Sequence, residues 1–370
     1  MIFTLRWLAA AAAVGASSVA VAQNAFAGAV GFGAIATGGN SGTKYHVTNL
    51  DDSGAGSFRE AVSEPNRYIV FDVGGYIQLS SAVSLSSHIT IDGRTAPGDG
   101  IGLKGREISA SGKTNIIMRN IRMRQGTLDP DAGKSAFNMG AASNIILDHC
   151  SLEYGRFDTI DAVKAVNITV SNSIIAFPIG QKFGAHVETG PSTFYRNLWV
   201  SAHNRQPLAK DDTQFINNIV YNYQAAYTVA DTGGHFSHDI IGNYFIAGPS
   251  TSTPRDDYFQ MNSRQTVYAT GNYLDRNKDG LLNGAAANSV GSATLASKPW
   301  ESTSLTLASL SAADAYTEVL SSVGAAPRDE LDSFVVSTVK SLGKKGTIYS
   351  SQTATGVSNG GYGTLSNSSS

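Results

Sequence analysis

The sequence predicts an all-β protein built as a parallel β-solenoid, and three observations carry that reading. A short phrase of β-branched and aromatic residues recurs between residues 115 and 275, each copy closes on a polar residue, and a second apolar run follows the closure. The copies are Asn115-Ile-Ile-Met-Arg-Asn120, Asn144-Ile-Ile-Leu-Asp-His149, Asn167-Ile-Thr-Val-Ser-Asn172, Thr193-Phe-Tyr-Arg-Asn197, Gln214-Phe-Ile-Asn-Asn218, Ile240-Ile-Gly-Asn243 and Val267-Tyr-Ala-Thr-Gly-Asn272. Inward and outward residues alternate inside each phrase, and runs such as Ile174-Ile175 or Ile219-Val220 follow it, which is strand, turn, strand. The closures are spaced irregularly around about 25 residues, which suits one turn of a stacked solenoid better than the hairpins of a sandwich. Asn fits them for a physical reason: it tolerates the left-handed conformation of a sharp bend, and its amide can bond the amide one turn above.

In chain order, the first residues read as a secretion leader. Arg6 gives a positive start, Leu8 to Val21 is apolar and Ala-rich, and Ala20-Val21-Ala22 before Gln23 is a small-x-small cleavage site. The leader is set at residues 1–22 and the mature chain near Gln23. A membrane span fits less well, because the apolar run is short and broken by Gly15 and Ser17-Ser18. A secreted, extracellular product is expected. The β-helix domain is set at 23–290. His88-Ile-Thr-Ile-Asp-Gly93 extends the array toward the N-terminus, and Ser57-Phe-Arg-Glu60 opens a capping-box helix placed to cover its open end. A C-terminal segment, 291–349, is expected to pack on the solenoid, with Ser311-Ala-Ala-Asp314 opening an amphipathic helix through Leu320. The Gly, Ser and Thr stretch 350–370 reads as a mobile tail. Asn167-Ile-Thr169 and Asn367-Ser-Ser369 fit the glycosylation pattern, the first inside an expected strand.

Cys150 is the only cysteine, so no intrachain disulfide can staple the fold, and about 350 mature residues must be held by a core. A formal charge of −2 and few charged residues argue against a general nucleic-acid or membrane-surface binder, so a charged polymer must meet a local patch. Gly31-Phe-Gly33-Ala-Ile-Ala36 imitates a dinucleotide loop, but no strand precedes it. His235-x-x-His238 has no third ligand nearby in the sequence. No Gly-x-Ser-x-Gly elbow occurs. Asp275-x-Asn277-x-Asp279-Gly280 has the spacing of half a calcium loop, but Ala286 stands where that loop needs Glu, so it reads as a tight turn or a weak structural calcium site.

Two clusters remain. The basic one is His203-Asn-Arg205-Gln-Pro207-Leu-Ala-Lys210, with Lys182 about one turn earlier; the acidic one is Asp129-Pro-Asp131 and, a turn later, Asp158-Thr-Ile-Asp161. Turns lie about 5 Å apart, so residues one turn apart on a face can converge. A carboxylate group able to hold a hard cation can then sit beside cations able to hold an anionic polymer. Read singly, each is equally a solvated turn charge.

At these residues the sequence resembles the pectate lyase family, the right-handed parallel β-helices. The markers are Tyr45-His-Val-Thr-Asn49, Ser53-Gly-Ala-Gly-Ser-Phe-Arg-Glu-Ala61, Thr95-Ala-Pro-Gly-Asp-Gly100, Asp148-His-Cys-Ser151, Arg205-x-Pro207, Gly248-Pro-Ser250 and Asp275-x-Asn-x-Asp-Gly280. The resemblance implies calcium-assisted β-elimination of polygalacturonate. Removing the C5 proton builds charge on the neighbouring carboxylate, which a cation and fixed positive side chains must neutralise. It further implies Arg205 as the catalytic residue and base, Lys182, Lys210 and His203 as substrate-binding, and Asp131, Asp158 and Asp161 as calcium ligands. An arginine base is chemically awkward, and Arg205 is alternatively an electrostatic clamp while another group takes the proton. Where relatives read Gly-Lys-Asp-Ala this chain has Gly133-Lys134-Ser135-Ala136, and where they carry an acidic pair it has Phe157-Asp158, so one carboxylate is lost in each. The expected partner is an acidic polysaccharide, with no nucleic acid and no membrane, and the expected state a monomer. The competing readings are a non-catalytic polysaccharide-binding β-helix and a polygalacturonase-like hydrolase, which needs paired carboxylates such as Asp158 and Asp161.

Overall fold

The structure, a computed structural model, describes residues 24–229, 233–252 and 256–367. The leader expected over 1–22 and the end of the Asn367-Ser-Ser369 pattern lie outside them. Among the described residues no helix is long and apolar enough to cross a membrane.

The phrases do stack into a parallel β-helix whose turns carry strands on three faces. The first face runs from Thr43–Val47 through Arg67–Phe71, Ile89–Asp92, Thr114–Arg119 and Ser143–Asp148 to Thr266–Thr270 and Thr294–Leu295. The second runs from Gly75–Gln78 to Tyr273–Asp275, closing on the antiparallel pair Ala285–Ala286. The third begins with Val83–Ser84, Ile108–Ser109 and Phe137–Asn138, continues through the first halves of the long strands Asp158–Ser171, Phe183–Tyr195 and Leu208–Ile216, and ends with Ala225–Thr228 and Asp256–Phe259.

Register places like on like. Ile91, Met118, Leu147, Val170, Phe194, Phe215 and Ile240 are successive partners on the first face, and all are buried in one continuous core. Cys150 lies inside this core as a free thiol, pushed up to about 12 by burial. Burying such a column removes apolar surface from water at about 25 cal/mol per Å² and replaces the missing disulfides as the source of stability.

The two properties assigned to the closing Asn divide between neighbouring residues. Asn120, His149 and Asn172 take the left-handed bend themselves, with φ of 55°, 51° and 49°. From the next turn on, Arg196, Asn217, Gly242 and Gly271 take it instead. The following residues, Asn197, Asn218, Asn243 and Asn272, then turn inward and are fully buried. Each accepts the backbone N–H of its counterpart one turn earlier: Asn197 to Asn218 at 3.0 Å, Asn218 to Asn243 at 2.8 Å, Asn243 to Asn272 at 3.0 Å.

The ends and outer surfaces are covered by the flanking segments. Helix Phe58–Ala61 starts at Ser57, whose hydroxyl accepts from Glu60 N at 3.2 Å. Glu60 completes the cap on Gly56 N at 2.7 Å, one residue earlier than a capping box requires. Phe58 and Ala61 enter the core beside Val47 and Ile69. Residues 25–36 lie on the outside of the first face, where Ala25, Ala29, Ala34 and Ala36 pack on Ile117 and Ile146. The expected helix from Ser311 forms as Ala312–Ser322, and a second one, Glu330–Lys340, follows it. Their Val319, Leu331 and Val335 pack on Ile174, Leu198 and Ile219 of the second face. The stretch after Ser350, expected as a mobile tail, is held to the molecule through residue 367. Buried Tyr362 accepts from Tyr76 Oη at 2.7 Å, Gln352 bonds Thr127, and Asn367 accepts from Gly74 N. Aromatic side chains among its small residues give it an anchor that composition alone conceals.

Candidate active site

With the first face covered by the N-terminal segment and the second by the C-terminal helices, the third is where polar side chains line up half-exposed. Ile160, Ala162, Ala185 and Val187 point into the core, so alternation sends Asp161, His186 and Glu188 outward. Ser109, Asn138, Asp161 and His186 are successive register partners, and Glu188 pairs with Lys210.

Arg205 enters this line from the turn ahead of Leu208–Ile216. It takes a left-handed φ of 64°, and its carbonyl accepts from Ala185 N at 2.7 Å. Gly184 permits that approach, since a Cβ there would lie 2.2 Å from Arg205 O. The guanidinium reaches two turns down, and Nη1 donates to both oxygens of Asp158 at 3.0 and 3.1 Å. It lies 3.9 Å from the Phe183 ring centroid and 5.8 Å from that of Phe157, an arrangement that strengthens the cation's hold on its aromatic wall. Phe157, standing where a carboxylate was expected, thus walls the arginine. Asp158 is 1% exposed; burial pushes its carboxyl up to about 7, with Arg205 opposing and Asp161 adding to the rise.

The remaining basic residues flank Arg205. Lys182 O accepts from His203 N at 2.7 Å, and partial desolvation together with the Lys182 charge holds the His203 imidazole below its usual value. Lys210 Nζ lies 3.7 Å from Glu188 Oε1, which also receives His186 Nε2 at 2.9 Å.

The acidic cluster is not assembled as expected. Asp131 stays within its own loop, its Oδ1 accepting from Gly133 N and its N donating to Asp129. Asp161 Oδ1 accepts from Val163 N at 3.0 Å, and Asp158 is occupied by Arg205. Ser135 donates its N–H to Glu107, a buried carboxylate from the turn below that burial raises. Among the described residues no three His, Cys, Asp or Glu side chains form a group able to hold a metal ion. The chain's own donors therefore do not fit a calcium cage at this place.

The other candidate motifs resolve as ordinary structure. His238 is buried against Tyr227 Oη and Gln265 while His235 meets Arg264, so the two do not share a ligand. Asn277 and Asp279 accept backbone N–H groups within their own turn. The sequence analysis did not single out Glu107, His186 or Glu188. The last two were recoverable from the alternation of Ala185 and Val187, one turn above Asp161.

No protein-family model matches the chain. It is 39% identical to a probable pectate lyase C of Neosartorya fischeri over 359 residues, covering 94% of this chain and 84% of that protein. It is likewise 39% identical to a probable pectate lyase C of Aspergillus terreus, over 90% and 81% of the two lengths. Among solved structures, a thermostable pectate lyase aligns with a TM-score of 0.57 at 14% identity over 80% of this chain and 96% of its own. Jun a 1, the major allergen from cedar pollen, aligns at 0.53 and 18% identity over 80% and 92%. These two likenesses speak for the fold. The curated relatives, matched along nearly the whole described length, show that the chain belongs to the pectate lyase family.

Proposed function

We propose that the chain is a lyase that cleaves polygalacturonate by β-elimination along the third face, acting outside the cell as a monomer. The observation that carries this reading is the placing of Arg205, Lys182 and Lys210 on one half-exposed face, with the Arg205 guanidinium fixed by a buried carboxylate and an aromatic wall. A uronate whose C5 proton is leaving concentrates negative charge on its own carboxylate, and preorganised cations stabilise that charge without reorganising during the step. Arg205, paired through Nη1, serves as such a clamp, Lys182 and Lys210 hold neighbouring carboxylates of the polymer, and His203 borders Lys182. Asp158 anchors the arginine, which leaves the Asp158 and Asp161 pair unsuited to the acid and base roles of a hydrolase. Asp161 and Asp131, the carboxylates that the resemblance would give to calcium, do not come together. Their separate hydrogen bonding assigns the larger share to the side chains. The leader at 1–22 and the size of the substrate support an extracellular site of action.

The test is polygalacturonate with the mature chain, followed by ultraviolet absorbance and by reducing ends. Elimination gives a conjugated, absorbing uronate; hydrolysis gives reducing ends alone; a binding protein gives neither. Arg205→Ala is expected to lower kcat by about 10²–10³ with circular dichroism unchanged. A chelator is expected to lower the wild-type rate by less than about tenfold, and complete loss would return the dominant role to the metal.

A further inference from the structure

At Lys210 the uronate line of the third face runs into a recess of about 350 Å³ lined by Glu188, Thr189, Lys210 and Phe236. Small-ligand sites occupy about 300–1,000 Å³, so the recess suits one sugar ring. Glu188, Thr189 and Lys210 belong to the long strands Phe183–Tyr195 and Leu208–Ile216. Phe236 comes from the next turn, one residue ahead of the first-face strand Ser237–Ile241, and stands at the corner between the two faces. Single half-buried apolar residues are common on surfaces, but this one is fixed on both sides. Its N–H donates to Gln265 Oε1 at 3.2 Å, and its carbonyl accepts from Thr266 N at 3.0 Å. Gln265 is fully buried and also donates to Gly234 O at 3.1 Å. The N–H of Ser237 donates to Asp212 Oδ1 at 2.7 Å, which ties Phe236 to the strand that carries Lys210. Among the described residues its ring joins none of the apolar clusters. An aromatic ring on so constrained a backbone meets a ligand with little ordering left to do.

We infer that Phe236 is the platform of a flanking subsite, on which a galacturonate other than the reacting one stacks while Lys210 holds its carboxylate. The inference rests on the lyase reading above. In a galacturonate ring the axial O4 leaves the opposite face to the C–H bonds of C3, C4 and C5. Those polarised hydrogens suit the negative face of a phenyl ring, and the contact removes apolar surface of both from water. Glu188, which lies 3.7 Å from Lys210 and is 32% exposed, offers an acceptor to the ring hydroxyls. Stacking covers the C5–H bond, so the sugar on Phe236 is not the one that loses its proton. The subsite therefore binds the polymer equally before and during the chemical step, which lowers KM and leaves kcat alone. It also makes affinity depend on chain length, because only a chain that reaches from Arg205 into the recess gains the contact.

The experiment is steady-state kinetics, read by absorbance, on polygalacturonate and on galacturonate oligomers of increasing length. The wild type is compared with Phe236→Ala, Phe236→Leu and Phe236→Trp, each below its melting temperature. Phe236→Ala is expected to raise KM on the polymer by about three- to tenfold with kcat changed by less than about twofold. It should match the wild type on the shortest oligomer that is cleaved, and lose most of the gain in kcat/KM that longer oligomers bring. Phe236→Trp should keep wild-type KM, because it keeps a flat aromatic face. If Phe236→Ala melts early, Phe236→Leu decides, since it fills the space without offering such a face and should raise KM in the same way. A wild-type KM and length dependence in the deciding variant overturn the inference, and so does an equal loss at every length. A wild type that makes no absorbing product rejects the lyase reading itself, and the two failures are thereby told apart.

Discussion

Asp211 shows how far one carboxyl can be displaced by its surroundings. It follows Lys210 on the same strand but points inward, fully buried, with Thr213 Oγ1 donating to Oδ1 at 2.8 Å. Burial pushes it from the ordinary 3.8 up to about 7, the hydroxyls of Ser192 and Thr213 opposing and Asp212 adding. A carboxyl raised in the folded chain binds its proton more tightly there than in the unfolded one. Its contribution is therefore full below 3.8 and is lost as pH rises toward about 7. Asp211→Asn keeps the shape and removes the ionisation. The variant should be more stable than wild type by about 2–4 kcal/mol at pH 8.5 and nearly equal to it at pH 4, by denaturant unfolding at each. An equal difference at both values would show that the Asp211 carboxyl is not raised in the folded chain. At this scale the sequence was partly legible. Arg205 stood out because a basic residue before Pro207 in a polar turn has little structural reason to be there. His186 and Glu188 did not, because a lone His and Glu in a strand look like solvated charges until the alternation is traced through Ala185 and Val187.

At the scale of elements, periodicity located the first-face strands well, because alternation between core and outside is written directly into side-chain type. It did not separate the bend residue from the residue behind it. Both are polar, and only the geometry of the turn decides which adopts positive φ and which turns inward. The inward Asn column has a measurable weight. Asn218 accepts from Asn197 N at 3.0 Å and Trp199 Nε1 at 3.3 Å, and its amide donates to Phe194 O at 2.9 Å. Asn218→Leu leaves those groups buried without partners, which should cost about 2–5 kcal/mol, seen as a lower denaturant midpoint at unchanged slope. A surface Asn such as Asn277 changed to Ala should cost under about 0.5 kcal/mol. The third face was less legible, because its strands are as short as Val83–Ser84 or are continuous with first-face strands, as in Asp158–Ser171. Such segments have too few residues for a period to emerge.

The whole molecule is a three-faced rod with two faces covered, and that asymmetry puts the chemistry on the third. Alternation tells which side chains leave the core but not whether they meet water. Arg122 and Arg124 alternate with Ile121 and Met123, yet both are buried where the C-terminal helices dock on the second face. Arg124 Nε bonds Glu153 at 2.9 Å, its Nη1 meets Asp329 and Tyr362 O, and its Nη2 meets Asp332 at 2.8 Å. Asp332 Oδ2 also accepts from Ser151 Oγ, which ties the second helix to the rod. Burying several charges together is expensive, and the network is stable only while each charge keeps its partners. Removing one should therefore cost more than a surface ion pair. Asp332→Ala is expected to lose about 3–5 kcal/mol in denaturant unfolding, because two arginines stay buried with less compensation. Replacing Arg122, Arg124, Glu153, Asp329 and Asp332 together by apolar residues of similar volume should recover most of that loss, because Arg122 also faces Asp329 and Asp332. Because this latch sits on the second face and the uronate line on the third, the folded fraction of Asp332→Ala should retain wild-type kcat and KM on polygalacturonate below its melting temperature. A lowered kcat there, with KM and the fold unchanged, would mean that the C-terminal helices hold the spacing of turns at Arg205 and Lys210 as well as the stability of the rod.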